Sequence, residues 1–279
     1  MINELSIVSP TGARLSLIDN EAFTLTGIDG FTRVDTSVSS VVVPFVDGDI
    51  VTKIQAQPRQ LGIFLQLNQA YGTEEAKRLI LRYVKPKLEC RLYMDTGDRQ
   101  IELIGLVESI ELPRFEQGCI MAIRLHCSQP YWQDAEEITN ELARVLDLHH
   151  FPVSFPSEGI PFGVYDNDQT QTIDNKGDVE CGMVITIIAG ATVKNPKIVN
   201  VLTGKFIGVN VTMQGNDEIV IDTIKGEKGI YLNGTNIIDK IMQGSTFLQL
   251  ETGENEFNIQ ATSGINDVYF ILSYRRLFI

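Results

Sequence analysis

The chain has 279 residues, a length that points to two domains. Hydrophobic residues make up 43%, and 23 glycines raise the apolar share to about half, enough to bury a core in each half. The formal net charge of −13 excludes the basic stripe that duplex recognition needs, because counterion release requires Lys and Arg at the phosphates, and the 21% of charged residues is too few to signal disorder.

The chain opens MINELSIVSP, with Glu4 where a secretory leader would be positive, so no signal peptide is expected. No window reaches the 18 or so uninterrupted apolar residues of a membrane span, so no membrane partner is expected either. Residues 38–46 and 50–56 flank Asp47-Gly48-Asp49, a hairpin signature. Its arms read Val41-Val42-Val43-Pro44-Phe45-Val46 and Ile50-Val51-Thr52-Lys53-Ile54, apolar on both faces. An isolated ribbon is marginal in water and an exposed apolar one aggregates, so a partner subunit should cover it. Val42, Val43, Phe45, Val51 and Ile54 are the candidate interface residues.

Residues 73–84 have helical period, with Thr73 as the expected N-cap and Glu74 and Glu75 in the first turn. Ala76, Leu79, Ile80, Tyr83 and Val84 share one face, and Pro86 ends the helix. A second hairpin pairs 88–94 with 100–112 around Asp95-Thr96-Gly97-Asp98, and 118–127 gives a further strand. In that strand Ile120, Ala122, Arg124 and His126 face one way, and Met121, Ile123 and Leu125 the other. A second helix is expected over 134–148, with Ile138, Leu142, Val145 and Leu146 on one side. Tyr131 and Trp132, just before it, read as packing residues at the helix start or at a subunit contact.

Pro152, Pro156 and Pro161, with Gly159 and Gly163, cannot sustain a ladder or a helix. The division expected is an N-terminal domain over 1–148, a proline-rich linker over 149–165 and a C-terminal domain over 166–279, with the charge split about evenly. Short strands follow, over 180–189, 197–200, 206–213, 218–224, 229–232, 246–250, 256–261 and 268–274. Gly215-Asn216, Gly226, Asn233-Gly234 and Gly253 supply the corners. The class is therefore mainly β (β-rich α+β), an N-terminal sheet domain with one well-defined helix and a long hairpin followed by a β-sandwich.

Catalytic signatures are missing: no GxSxG, GxxxxGK[ST], HExxH or GxGxxG occurs. Adjacent His149 and His150 with Asp147 would point to opposite faces of a strand and read as a solvated pair. Cys90, Cys119, Cys127 and Cys181 form no CxxC and read as free thiols of a protein made in a reducing cytosol. Asp47-x-Asp49 and Asp166-x-Asp168 read as turn aspartates. No catalytic residue, metal ligand or cofactor is expected, and no enzyme. A carbohydrate-binding adhesion module is the competing reading, since sandwiches often bind sugars on a flat aromatic, but the single tryptophan lies outside the sandwich.

Taken in order, several segments resemble the distal tail protein (Dit) family of siphophages, the phage tail family of Gram-positive phages and prophages. They are Asn175-Lys176-Gly177-Asp178, Asn195-Pro196-Lys197-Ile198-Val199-Asn200, Leu202-Thr203-Gly204, Glu218-Ile219-Val220-Ile221-Asp222-Thr223, Leu250-Glu251-Thr252-Gly253-Glu254-Asn255 and Tyr274-Arg275-Arg276. The resemblance implies a galectin-like C-terminal sandwich on an N-terminal ring-forming domain. It further implies a homo-hexameric baseplate hub at the virion tail tip, synthesised in the host cytoplasm. Such a hub joins the major tail tube protein above to the tail-associated lysin or tail fibre below, and DNA passes through its channel without specific binding. Longer members insert carbohydrate-binding modules, for which 279 residues leave no room.

Overall fold

The computed structural model describes residues 2–45, 47–112, 119–142, 145–147, 163–165 and 170–279. They form two compact units, Met1–Glu136 with Leu277–Ile279, and Glu137–Arg276. The fold is mainly β, with a single α-helix among the described residues.

In the first unit the strands are β1 (Glu4–Val8), β2 (Arg14–Ser16), β3 (Phe23–Asp29), β4 (Thr36–Val41), β5 (Ile50–Ala56) and β6 (Arg59–Leu67). Helix α1 (Thr73–Tyr83) follows, then β7 (Glu89–Asp95), β8 (Gln100–Glu111), β9 (Ile120–Cys127) and β10 (Trp132–Asp134). An antiparallel sheet runs β2-β1-β7-β8-β9-β6-β3, with β10 on β8. Period-2 alternation buries Leu61, Ile63, Leu65 and Leu67 of β6 with Met121, Ile123, Leu125 and Cys127 of β9 in one core. The parity expected in β9 is the parity observed. Helix α1 adds Ala76 and Ile80 to that core, and Val84 just beyond its end joins them. Gly72, at φ 100°, holds the N-cap position in place of Thr73, which is the first helical residue and makes no capping bond. The hairpin β7–β8 turns where expected, with Gly97 at φ 87° and its N–H donating to Asp95 Oδ1 at 2.6 Å.

The second unit contains β11 (Ile138–Glu141), β12 (Val145–Asp147), β13 (Gly163–Tyr165), β14 (Thr170–Asn175), β15 (Met183–Ala189), β16 (Val193–Lys194) and β17 (Lys197–Asn200). It continues through β18 (Phe206–Gly208), β19 (Thr212–Met213), β20 (Glu218–Asp222), β21 (Gly229–Leu232), β22 (Thr235–Asn236), β23 (Gly253–Gln260) and β24 (Val268–Tyr274). One sheet runs β11-β24-β15-β20-β21-β22 and another β14-β23-β17-β18. Their alternating residues supply the sandwich core: Ile185, Ile187, Ile221, Phe270 and Leu272 from the first, Ile198, Ile207, Phe257 and Ile259 from the second. After Arg276 the chain returns to the first unit, where β25 (Leu277–Phe278) pairs with β10 and completes its sheet at nine strands.

Three expectations change. The helix over 134–148 is absent: β10, β11 and β12 occupy that stretch, and β11 pairs with β24 from Ile138↔Tyr274 to Glu141↔Ile271. An apolar spacing that suits a helix also suits short strands, and the ladder offered by β24 decides between them. Residues 206–213 divide into β18 and β19, and 246–250 is no strand, although Thr246 and Leu250 donate to Phe206 and Cys181 carbonyls. The proline-rich segment 149–165 lies outside the described residues except for β13.

Candidate assembly site

The hairpin β4–β5 stands as a two-stranded sheet of its own, joined to none of the three larger sheets. Every residue of β4 is exposed, as is all of β5 except Ala56. The register pairs Val38 with Ile54 and Ser39 with Lys53, then slips so that Ser40 faces Val51 and Val41 faces Ile50. Thr52 is thus the extra residue of a β-bulge, and its hydroxyl donates to the Ser39 carbonyl at 3.0 Å. Strict alternation would send Val51 and Ile54 to opposite faces. The bulge brings them to one face with Val38, and leaves Val41 and Ile50 on the other.

Of the sequence-predicted interface residues, Val42 is 75% exposed, Ile54 68%, Val51 49% and Phe45 fully exposed, while Val43 is half-buried. Pairing ends at Val41, short of the expected 46: Pro44 has no N–H to donate, and Phe45 sits at φ 69°. Gly48, at φ 87°, turns the tip between Asp47 and Asp49.

The root of the hairpin is bound to the sheet. Gln57 N–H donates to the Asp35 carbonyl at 2.7 Å, and the Phe31 carbonyl accepts from Arg59 Nη1 at 2.8 Å. Trp132 is 2% exposed, packs edge-on against Phe31 with ring centres 5.2 Å apart, and donates from Nε1 to the same carbonyl at 3.3 Å. It is a core residue, as the packing reading expected, but it opens a strand rather than a helix.

Elsewhere the chemistry is quiet. Among the described residues no three His, Cys, Asp or Glu side chains are grouped to hold a metal ion. His149, His150, Asp166 and Asp168 lie outside the described residues. The four cysteines are free thiols. Burial pushes Cys90 up to about 12, with Cys127 adding to the effect, and burial raises Cys127 to about 11 against the pull of Arg59. Thiols so placed are protonated and unreactive at neutral pH. The sequence reading missed a cleft of about 130 Å³ in the second unit, lined by Glu180, Asn200, Lys205, Phe247, Gln249 and Glu251 among others. Its walls come from three separate segments, so no local motif announces it.

The segments that carry the family resemblance owe their pattern to buried turns. Asn175 donates to the Leu250 carbonyl at 3.1 Å and accepts from Gly177 N–H at 2.9 Å. Asn200 accepts from Thr203 N–H, and Asn255 both accepts from Glu251 N–H and donates to its carbonyl. Thr223 donates to the Met183 carbonyl and accepts from Met183 N–H, each at 2.9 Å. A buried amide side chain that satisfies local backbone groups cannot be exchanged for an apolar one, so these turns stay recognisable.

Comparison with known proteins agrees. The family model described as the siphovirus-type tail component, C-terminal domain, matches residues 176–276. A solved structure of the Dit protein (gp 19.1) of phage SPP1, described as a paradigm of the hub adsorption apparatus in phages infecting Gram-positive hosts, superposes with TM-score 0.65. The identity is 11%, over 97% of this chain and 98% of that one. A chain of the phage P2 baseplate in its activated conformation with Ca gives TM-score 0.52 at 12% identity, over 99% and 98% of the two chains. The corresponding baseplate structure with Sr gives 0.50 at 11%, over 98% and 97%. No curated protein matches this sequence. Residues 176–276 are therefore a siphovirus-type tail component C-terminal domain, and the whole chain carries the fold of a siphophage distal tail protein.

Proposed function

We propose that this chain is a structural baseplate hub: a homo-hexameric ring at the tail tip that joins the tail tube above to the tail-associated lysin or tail fibre below and leaves a channel for DNA. The observation that carries the reading is the exposed apolar hairpin on a chain with the fold of phage hub proteins. Val42, Val43, Phe45, Val51 and Ile54 are assigned to the subunit contact, with Val38 sharing the face of Val51 and Ile54. A contact between unlike patches, repeated by rotation, closes into a ring, and six copies follow from the family resemblance. The net charge of −13 suits a conduit for DNA, because carboxylates repel the phosphates and keep the passing strand from sticking. The reading requires no catalysis, and places the protein in the virion tail.

Native mass spectrometry of the wild type and of Val42→Asp combined with Val51→Asp tests the contact. Hexamers in the wild type and monomers in the double variant are the expected result. Unimpaired hexamers in the variant remove the hairpin from the interface, and tails without a ring at this protein's position remove the hub reading.

The adhesion reading draws on the cleft beside Phe247, whose polar lining and single ring suit a hydroxyl-rich ligand. Titration of the full chain with host cell-wall saccharide is expected to give no saturable binding at micromolar concentration. Saturation there promotes adhesion over the hub.

A further inference from the structure

One buried junction in the first unit ties the root of the hairpin to the strand that follows the second unit. Phe31 lies between β3 and β4, on the outgoing arm, and its carbonyl is the acceptor for Arg59 and for Trp132. Arg59 opens β6 just after the returning arm, is 3% exposed, and has no partner for Nε or Nη2. Phe31 therefore holds the only carbonyl that this guanidinium reaches among the described residues. Trp132 stands opposite Phe278 in the β10–β25 register. Phe278 is itself 3% exposed, and the Arg99 guanidinium lies 4.8 Å over its ring. Along the chain, β10 leads into the second unit and β25 follows it, so both connections to that unit run through these two paired strands.

We infer that Arg59, Phe31, Trp132 and Phe278 form a conformational relay: parting β25 from β10 withdraws Trp132 from Phe31 and loosens the root of the hairpin. Two donors on one carbonyl make the root hold in steps. With Trp132 gone, Arg59 alone retains Phe31, and the ribbon, which has no packing of its own, is free to swing. Its use in the tail rests on the hub reading: events at the second unit would then reach the hairpins at the subunit contact. The relay itself is read on the full chain in solution and does not need a ring.

Hydrogen exchange of the full chain tests it, with Trp132 fluorescence as a second reporter, since it is the only tryptophan. The variants are Phe278→Ala, Trp132→Phe and, as a control elsewhere in the same core, Ile80→Val. In Phe278→Ala, amides of residues 31–35 and 56–59 should exchange about tenfold faster than in the control, the equivalent of one lost hydrogen bond. Emission should move to longer wavelength at the same time. Trp132→Phe, which keeps a ring and deletes the donor, should speed the same amides. A shifted emission in Phe278→Ala with root exchange equal to the control overturns the relay. If Phe278→Ala does not fold, Arg99→Ala replaces it, with about a threefold increase expected from loss of the contact over the ring. Root exchange equal to wild type in that variant overturns the proposal. Failure of rings to form in the Val42 and Val51 double variant, or in the wild type, bears on the hub reading and leaves these rates unmoved.

Discussion

Gly30 turns the chain out of β3 at φ 75°, and a Cβ at this position would fall 2.0 Å from the carbonyl oxygen of Gln60 on β6. Two requirements meet there, a left-handed backbone and close approach to a neighbouring strand, and only glycine satisfies both. Gly12 shares the conformation, at φ 83°, with nothing near its missing Cβ. Gly30→Ala should therefore lower stability by several kcal/mol, and Gly12→Ala by about 1 kcal/mol, read from denaturant midpoints. Equal costs at the two positions would show that backbone strain alone governs them. The buried thiols make a second residue-scale prediction. Cys90 and Cys127 titrate above the ordinary 9.0 because burial disfavours the thiolate, so the folded state keeps protons that the unfolded state releases. Their contribution is complete below pH 9.0 and is lost as pH rises towards about 11 and 12. Melting temperature in Cys90→Ala combined with Cys127→Ala should fall less steeply above pH 9.0 than in the wild type; parallel curves would assign the alkaline loss to other groups.

Among the elements, α1 was legible because its signals are local. Ala76, Ile80 and Val84 recur at helical spacing and are fully buried. Ile80→Ala should cost about 2–5 kcal/mol in thermal or denaturant unfolding, since the cavity opens in a filled core. The stretch from Trp132 to Asp147 shows the converse. Ile138, Leu142 and Val145 have helical spacing, yet β11 takes its ladder from β24, far along the chain, and Leu142 N–H donates to the Phe270 carbonyl at 2.8 Å. Non-local pairing overrode a weak periodicity that lacked caps. The bulge at Thr52 was equally invisible, being a property of the register between two strands. Deleting Thr52 should straighten β5 by removing the extra residue, while Val51 and Ile54, then two residues apart, stay on one face. Circular dichroism and hexamer yield in native mass spectrometry should both match the wild type. Loss of rings after the deletion would show that the bulge itself, and not only the shared face, is required.

At the scale of the whole molecule, the second unit is inserted into the first, between β10 and β25. A protease that cuts within 149–165 would separate β11 from β24, and β10 from β25, along the chain but not in space. We expect the two fragments to elute together by size exclusion and to part only on denaturation. Dissociation under native conditions would mean that neither strand pair holds without chain continuity, and cuts spread evenly through both halves would count against a boundary there.

Composition and periodicity by themselves determined a mainly β chain, the amphipathic α1, the parity of β9, and strands β17, β21 and β24 to the residue. These are local consequences of side-chain alternation and of turn residues such as Asn216, Asn233-Gly234 and Gly253, which hold positive φ. The ordered asparagine turns of the second unit made the tail-component relationship readable as well, because each buried amide serves its own neighbourhood. Tertiary structure alone decided that β11 pairs with β24, that one face of the hairpin gathers Val38, Val51 and Ile54, and that Phe278 closes the core of the first unit. Each depends on partners brought together by the folded backbone from distant parts of the chain. Such contacts offset their loop-closure entropy only when the rest of the sheet is already in place, and no window of sequence contains both halves of the contact.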